Sequence, residues 1–447
     1  MLPSFKASKF RIAYSSNENK MNIDDYVFIN KRVLKFVGLY PTNIARYIVC
    51  CVCMFTIVIP QAVQIYQNWR DLAVVLETSS VLLTILLAIL KSLVWISNRR
   101  KMDSFIDYMF TDYWDVMTAH ISKHENVYAI YVRKGHLFTK GYLFLICNSL
   151  LFFFSLPIFE SVVTTIKGTS DNSTNNFPFV ALYPESYYNF PMYEIVYFSQ
   201  MLATSLCGLI ILGTDTLIAT ALFHTCGHFR VLQGKIEHIN GEIGHMLQAH
   251  NELNIVRKIK LQIISTIKHH YTILWFCDYM ETIFSPMLFL QTLASSLIIC
   301  LVGFQITDAH ITANAISKLI KYFSYLLMAL FQLLLFCIPG DALIDEVCDS
   351  SKAKKLMNKR GKVYKNRYIM YRLFTSQSST ISRTLYTIDW YELPVLFKIE
   401  VCLLMLRSQK SSKITAGKFY VMHLENFNAV LSTAVSYFML LRSFNSD

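Results

Sequence analysis

The stretch LAVVLETSSVLLTILLAILKSLVWIS, residues Leu72–Ser97, decides the fold class of this protein. Glu77 and Lys91 are its charged residues, and the rest is apolar or carries small hydroxyl groups. A helix of about 20 predominantly apolar residues crosses the hydrocarbon core of a bilayer. The stretch therefore predicts a transmembrane helix.

Five other runs have the same character: 44–66, 137–159, 195–223, 283–306 and 319–338. A seventh run, 424–441, contains Glu, Asn and Ser, and it can cross if protein or water shields its polar face. Of the 447 residues, 54% are hydrophobic and 16% are charged, whereas soluble domains carry about 25% charged residues. This composition excludes a soluble enzyme, a disordered scaffold and a collagen-like fibre. We predict an all-α integral membrane protein with seven transmembrane helices.

The distribution of Lys and Arg predicts the orientation of these spans. Of 42 basic residues, 35 lie in four segments on one side: 1–46, 98–136, 224–280 and 339–420. Basic residues accumulate in cytoplasmic connections, so we expect a cytosolic N-terminus and an extracellular C-terminus. The sequon at Asn172 falls in the 160–194 connection, which this topology places outside, and it is a candidate glycosylation site.

The polar groups inside the runs do not indicate a metal centre or a cofactor site. His224, Cys226 and His228 are close in sequence, but we interpret them as ordinary helix-surface residues. Lys91 and Asp215 are ionisable residues within predicted spans, and such residues are candidates for a functional role. We favour a structural interpretation, in which Lys91 reaches toward the cytosolic end of its helix and Asp215 finds a polar partner.

Two other classes of membrane protein fit the sequence poorly. A G-protein-coupled receptor keeps its N-terminus outside, and this chain lacks both an Asp-Arg-Tyr after the third run and an Asn-Pro-x-x-Tyr in the seventh. Because the sequence predicts seven helices, we retain signalling through G proteins as the alternative function. A secondary transporter usually shows internal repeats, and no two halves of this chain resemble each other.

Four motifs in the C-terminal third point to one family. They are PGDALIDE at 339–346, WYELP at 390–394, RSQK at 407–410 and ITAGKFYVMHLENFNAVLSTAVSYFMLLRS at 414–443. Their order and spacing closely resemble the C-terminal signature of the insect odorant receptors.

This resemblance implies a function. Members of that family are odorant-gated, non-selective cation channels, not enzymes, in the plasma membrane of olfactory sensory neurons. A tuning subunit like this one forms a heterotetramer with a shared odorant co-receptor and binds small volatile odorants; no nucleic acid partner is implied. The resemblance divides the chain into a six-helix bundle with the odorant pocket (1–338), a cytosolic anchor (339–418) and a pore-lining last helix (419–447).

The last helix carries the predicted pore residues. Tyr437, Leu440 and Phe444 lie at i, i+3 and i+7 and share one face. The resemblance assigns the channel constriction to that face, and a hydrophobic ring gates by dewetting. We choose Leu440 as the gate residue; ordinary lipid-facing packing is the alternative.

The resemblance also places the odorant pocket among the outer halves of the second, third, fourth and sixth spans. Aromatic faces and a few hydroxyl groups suit a small volatile molecule. Our candidates are Ser79, Ser80, Phe152, Ser155, Phe159, Tyr197, Met201, Tyr322 and Tyr325. The alternative is ordinary packing, or anchoring of tyrosines at the membrane interface.

Residues 347–377 interrupt an otherwise well-matched motif. This stretch holds nine Lys or Arg and one Asp, and so it supplies most of the net charge of +12. It is either a cytosolic loop attracted to anionic lipid or a retained intron, and the abrupt break favours the second interpretation.

Overall fold

The protein is described here by a computed structural model covering residues 23–111, 125–166, 176–248, 252–309, 315–345, 377–393, 395–409 and 412–446. Asn172 and almost all of the 347–377 stretch lie outside these ranges. The helices are α1 Ile23–Val37, α2 Ile44–Gln67, α3 Leu72–Ser97, α4 Arg99–Phe110, α5 Glu125–Ile166, α6 Met192–Gln248, α7 Glu252–Ala309, α8 Ala315–Asp345, α9 Gln377–Thr387, α10 Val395–Ser408 and α11 Leu424–Ser446.

Six helices of the described chain are long and apolar enough to cross a membrane: α2, α3, α5, α6, α7 and α8. They correspond one to one with the six apolar runs, so a multi-pass helical membrane protein is the class that the structure supports. The seventh predicted run forms α11, a helix of 23 residues, but its polar side chains leave it outside that set of six.

The helices α6 and α7 are much longer than the runs 195–223 and 283–306. They contain 57 and 58 residues, or about 85 Å at 1.5 Å per residue, whereas the hydrocarbon core is about 30 Å thick. Hydropathy finds only the apolar part of such a helix, because the chain stays helical after its composition turns polar. We call the end of the bundle with residues 68–71 and 176–191 the upper end, and the end with residues 98–110 and 224–280 the lower end.

Helix α6 lies at the centre of the bundle. It packs against α1, α2, α3, α5, α7 and α8, and 89% of its most apolar stretch is buried. Its buried threonines tolerate this position because their hydroxyls bond to carbonyls one turn earlier; Thr216 Oγ1 donates to Leu212 O at 2.6 Å and Thr220 Oγ1 donates to Thr216 O at 2.7 Å.

The WYELP motif forms a turn against α6 at the lower end. A 3₁₀ helix, Trp390–Glu392, separates α9 from α10. Proline is disfavoured in a helix interior, and the sequence places Pro394 directly before α10. The Asp389 backbone N–H donates to Asn240 Oδ1 at 3.1 Å, which attaches the turn to the lower part of α6.

The TAGKF motif forms a tight hairpin that leads into α11. Strands β1 Thr415–Ala416 and β2 Tyr420–Val421 pair antiparallel. Gly417 and Lys418 both have positive φ, at 62° and 67°, as a type I′ turn requires. A Cβ atom at position 417 would lie 2.8 Å from the ring of Phe289 on α7. Glycine is therefore required here both for the turn and for the close approach to α7.

Two further contacts attach this hairpin to the bundle. Glu281 on α7 accepts hydrogen bonds from the Thr415 backbone N–H, at 2.7 Å, and from the Thr415 hydroxyl. On α8, a Cβ atom at Gly340 would lie 2.1 Å from the carbonyl oxygen of Met422. The glycine of the PGDALIDE motif thus lets α8 approach the segment that begins α11. Helix α11 itself packs against α7 and α8.

Candidate ligand cavity and pore helix

A cavity of about 70 Å³ lies among α3, α5, α6 and α8 in the upper half of the bundle. Its walls are almost entirely apolar, with a few hydroxyl groups. The lining residues are Val81, Thr84, Ile85, Tyr142, Ile146, Ser149, Leu150, Phe153, Phe179, Thr204, Cys207, Gly208, Ile211, Tyr325 and Met328. Such a cavity favours a small, mostly apolar ligand, because burying its surface supplies the binding energy and the hydroxyl groups orient it.

Tyr325 is one of two tyrosines in the cavity wall. Its hydroxyl donates to the Ser80 carbonyl at 3.1 Å and lies 2.5 Å from Thr84 Oγ1. Its ring meets Phe153 edge to face, with centroids 5.8 Å apart. These contacts hold the tyrosine ring as a rigid wall between α3, α5 and α8.

The segment 176–191, which we call the cap, closes the upper end of the cavity. The Gln200 side chain accepts from the Phe179 backbone N–H at 3.1 Å and donates to the Phe179 carbonyl at 3.2 Å. The Phe179 ring stacks on Phe153 with centroids 4.9 Å apart. Burial raises the pKa of the Tyr183 phenol, which accepts from Gln200 Nε2 at 3.3 Å. One buried glutamine therefore holds the cap over the cavity.

A second, smaller space of about 10 Å³ lies beside the cavity, and we call it the polar chamber. It shares Val81, Phe153 and Phe179 with the cavity wall. Its other lining residues are Gln61, Glu77, Thr78, Ser80, Val180, Gln305, Lys321 and Tyr322. The chamber is therefore a polar extension of an apolar cavity.

The structure brings three of the nine predicted pocket residues to these spaces. Tyr325 lines the cavity, and Ser80 and Tyr322 line the polar chamber. The other six do not line either space: Ser79, Phe152, Ser155, Phe159, Tyr197 and Met201.

On the third span, α5, the face that we expected to line the pocket lies largely on the outside of the bundle. Phe153 lines the cavity, whereas Ser155 is exposed and Phe159 is 62% exposed on the outside of the bundle. Helix α5 is apolar all round, and lipid tails are as apolar as a protein core. The hydrophobic pattern therefore cannot say which face of this helix points inward.

Residues that the sequence did not single out complete the site. Tyr142 and Ile211 lie deeper than the outer halves that we considered, and Phe179 comes from a connection between helices. The sequence shows that Tyr142 and Phe179 are aromatic, but it does not show that they meet at one cavity. That depends on helix packing and on the fold of the cap.

Below the cavity, a buried ionic network joins four helices. Lys91 on α3 lies 2.6 Å from Asp215 on α6 and also donates to Gln291 on α7. Gln332 on α8 donates to the second oxygen of Asp215 at 2.8 Å. Both charged side chains are essentially fully buried. From the sequence we expected Lys91 to reach toward the end of its helix. It does not, because its partner lies across the bundle at the same level. Asp215 does have the polar partner that we expected.

Helix α11 leaves one face uncovered in this chain. Val430 and Ala434 are buried against the bundle, whereas Thr433, Tyr437 and Leu440 are exposed. The Thr433 hydroxyl donates to Ala429 O at 2.9 Å, so it leaves no donor without a partner. Tyr437 and Leu440 lie on the same side, as predicted; Phe444 belongs to α11, but its side chain lies outside the described part of the structure.

These features define a multi-pass helical membrane protein with an apolar cavity among its helices. The family model of the 7tm odorant receptors matches residues 71–351 and 372–435. Since this match covers more than half of the chain, the protein belongs to that family. The resemblance of the C-terminal motifs is confirmed, and the interval between the two matched segments, 352–371, lies inside the stretch that interrupts the motif.

Individual relatives agree with the family match. Odorant receptor 13a of Drosophila melanogaster is 29% identical over 287 residues, which covers 62% of this chain and 60% of that receptor. Odorant receptor 10 of Aedes albopictus is 21% identical over 420 residues and matches 93% of this chain and 96% of its own length. The solved structure of the insect olfactory receptor OR5 from Machilis hrabei in complex with eugenol superposes with a TM-score of 0.66, at 12% identity, over 94% of this chain and all of that one. This last similarity supports the fold.

Replacing Tyr325 by alanine tests the cavity. The change removes an aromatic wall and a hydroxyl, so we expect roughly a tenfold loss of affinity for a small apolar ligand that binds there. Binding of small apolar compounds to the two proteins, with surface expression measured in parallel, gives the answer. Phe323→Ala is the matched control, because Phe323 lies on the same helix but is 63% exposed. Equal effects of the two substitutions would remove Tyr325 from the ligand site.

Proposed function

We propose that this chain is the tuning subunit of an odorant-gated, non-selective cation channel. Small volatile odorants bind in the cavity among α3, α5, α6 and α8, and the chain forms a heterotetramer with a shared odorant co-receptor in the plasma membrane of olfactory sensory neurons. The observation that carries the proposal is a nearly apolar cavity in a member of the 7tm odorant receptor family. Membership of that family favours a receptor over an enzyme.

The proposed topology has seven spans, with α11 as the seventh. The N-terminus is cytosolic and the C-terminus extracellular, because 35 of the 42 basic residues lie in segments that one side of the membrane would carry. On this basis the upper end of the bundle is extracellular, and odorants reach the cavity from the side of the cap. Asn172 is then available for glycosylation.

The uncovered face of α11 supports a role in assembly and conduction. A helix with exposed Thr433, Ser436 and Tyr437 is poorly suited to lipid, but it suits a water-filled conduit shared with α11 helices of other subunits. We assign residues 419–447 to the pore, 339–418 to a cytosolic anchor between subunits and 1–338 to the ligand-binding bundle. Tyr437, Leu440 and Phe444 form the constriction.

The network around Lys91 offers a physical route from cavity to pore. It joins α3, α6 and α8, which line the cavity, to α7, against which α11 packs. A ligand that changes the spacing of α3, α6 and α8 would change the strain on this network and hence the position of α7. The cavity and the pore are thus connected through contiguous rigid helices, and coupling between a ligand in the cavity and the pore needs such a connection.

The alternative function, signalling through G proteins, predicts a different electrical response. In cells that express this chain with the co-receptor, we expect odorant to open a cation conductance in excised patches without nucleotide. Co-receptor alone is the control. A response that disappears on excision and returns with GTP would contradict the channel proposal.

A further inference from the structure

The polar chamber contains buried hydrogen-bonding groups without partners. Gln61 on α2 is fully buried, and within the described part of the chain neither its amide nitrogen nor its amide oxygen has a hydrogen-bond partner. Gln305 on α7 donates to the Leu76 carbonyl at 3.1 Å and to Ser80 Oγ at 3.0 Å, but its amide oxygen has no partner. Leaving buried polar groups unpaired costs free energy, so the amide N–H of Gln61 and the amide oxygens of Gln61 and Gln305 can bind a ligand.

The charged groups of the chamber are already paired with each other. Glu77 accepts from the Tyr322 hydroxyl at 2.7 Å and from Lys321 Nζ at 3.3 Å. The ammonium group of Lys321 also lies 4.7 Å from the centre of the Phe153 ring. The carboxylate and the ammonium group neutralise one another, so the chamber offers no uncompensated charge to an acid or an amine. Its unpaired amide groups therefore favour a neutral head group.

The size of the chamber limits what that head group can be. About 10 Å³ is close to the smallest space that holds one water molecule. A single oxygen atom with its proton fits, and it can both accept from the Gln61 amide N–H and donate to the Gln305 amide oxygen. A carbonyl or ether oxygen satisfies only the donor and leaves the acceptor unpaired.

We propose that the polar chamber is the subsite for a ligand hydroxyl group, and that this receptor prefers neutral alcohols whose apolar part fills the cavity. The proposal rests on the proposed odorant-gated function. The cavity and the chamber share Val81, Phe153 and Phe179 as wall residues, so one small molecule reaches both spaces when these side chains rotate. Gln61 and Gln305 then determine specificity, because the Gln61 donor and the Gln305 acceptor are both paired when a hydroxyl is bound, whereas an ether pairs only the donor.

The test compares alcohols with isomeric methyl ethers. Cells that express the receptor with the co-receptor are exposed to linear and cyclic alcohols, each paired with an ether of equal heavy-atom count, such as heptan-1-ol with 1-methoxyhexane. We expect the alcohol to be about ten- to hundredfold more potent, since the ether leaves an acceptor unpaired. Ethers or esters as potent as the alcohols would overturn the proposal while leaving the odorant-gated function intact. The absence of current to every compound, with the co-receptor functional, would instead contradict the proposed function.

Substitution of the two glutamines separates a ligand subsite from a space that merely holds water. Gln61→Met keeps the length of the side chain but removes its polar atoms, so alcohol and ether, which both accept from the Gln61 N–H, should each lose potency. In Gln305→Met, which removes the acceptor that only a hydroxyl can pair, we expect the alcohol to lose about tenfold in potency and the ether to change little. Gln67→Leu is the control, because Gln67 is exposed on the same helix as Gln61. If Gln305→Met keeps the alcohol preference, or weakens alcohol and ether equally at normal surface expression, water or packing accounts for the chamber and the proposal fails.

Discussion

Lys91→Met is expected to remove most of the correctly folded protein from the cell surface. The substitution leaves the Asp215 carboxylate in the centre of the bundle without its ammonium partner, which lies 2.6 Å away. Removing one partner of a buried ion pair typically costs about 3–5 kcal/mol, a large part of the total stability of a folded domain. Asp215→Asn should have a similar effect, because it leaves the lysine charge buried and uncompensated.

Surface labelling, together with thermal unfolding of the detergent-solubilised protein, measures this effect. The combined change Lys91→Met with Asp215→Leu removes both charges and should recover part of the loss, since it leaves no buried charge unpaired. Lys258→Ala is the matched control: Lys258 pairs with Glu242 at 2.5 Å, but its side chain is 61% exposed, and exposed pairs contribute about 0–1 kcal/mol. Normal expression and stability of both single variants at Lys91 and Asp215 would contradict the role of this network.

Leu440→Ser is expected to raise the current that flows without odorant several-fold and to change ion selectivity. Leu440 is 53% exposed on the uncovered face of α11, where we place the constriction of the pore. A hydrophobic ring resists wetting, and a smaller, hydroxylated side chain lowers that barrier. Since the odorant cavity lies elsewhere in the bundle, the order of odorant potencies should be preserved.

Reversal potentials measured with substituted cations test this expectation. Met439→Ser is the control, because Met439 is 59% exposed but points about 100° away around the helix. In the proposed heterotetramer the co-receptor contributes its own ring residue, so the matching substitution should also be made in that subunit. Unchanged selectivity and basal current in the doubly substituted channel would remove Leu440 from the pore, whereas reduced assembly alone would identify it as a packing residue.

The C-terminal motifs show how closely a sequence pattern can follow a local requirement of the fold. Gly417 is needed for a positive φ and for contact with Phe289, and Gly340 is needed where α8 approaches Met422. These requirements are local and steric, so they leave glycines at particular positions in the sequence. The motifs therefore identify the family without knowledge of the tertiary structure.

The sequence by itself determined the membrane class, the six apolar helices and the family, because length, hydropathy and short motifs are properties of contiguous residues. Tertiary structure decided which residues meet. It paired Lys91 with Asp215 over a separation of 124 positions, brought Phe179 over the cavity and turned Phe153 inward in place of Phe152. In a membrane protein the outward face of a helix is as apolar as the inward face, so hydrophobicity identifies the helices but does not orient them, and the cavity emerges only from their packing.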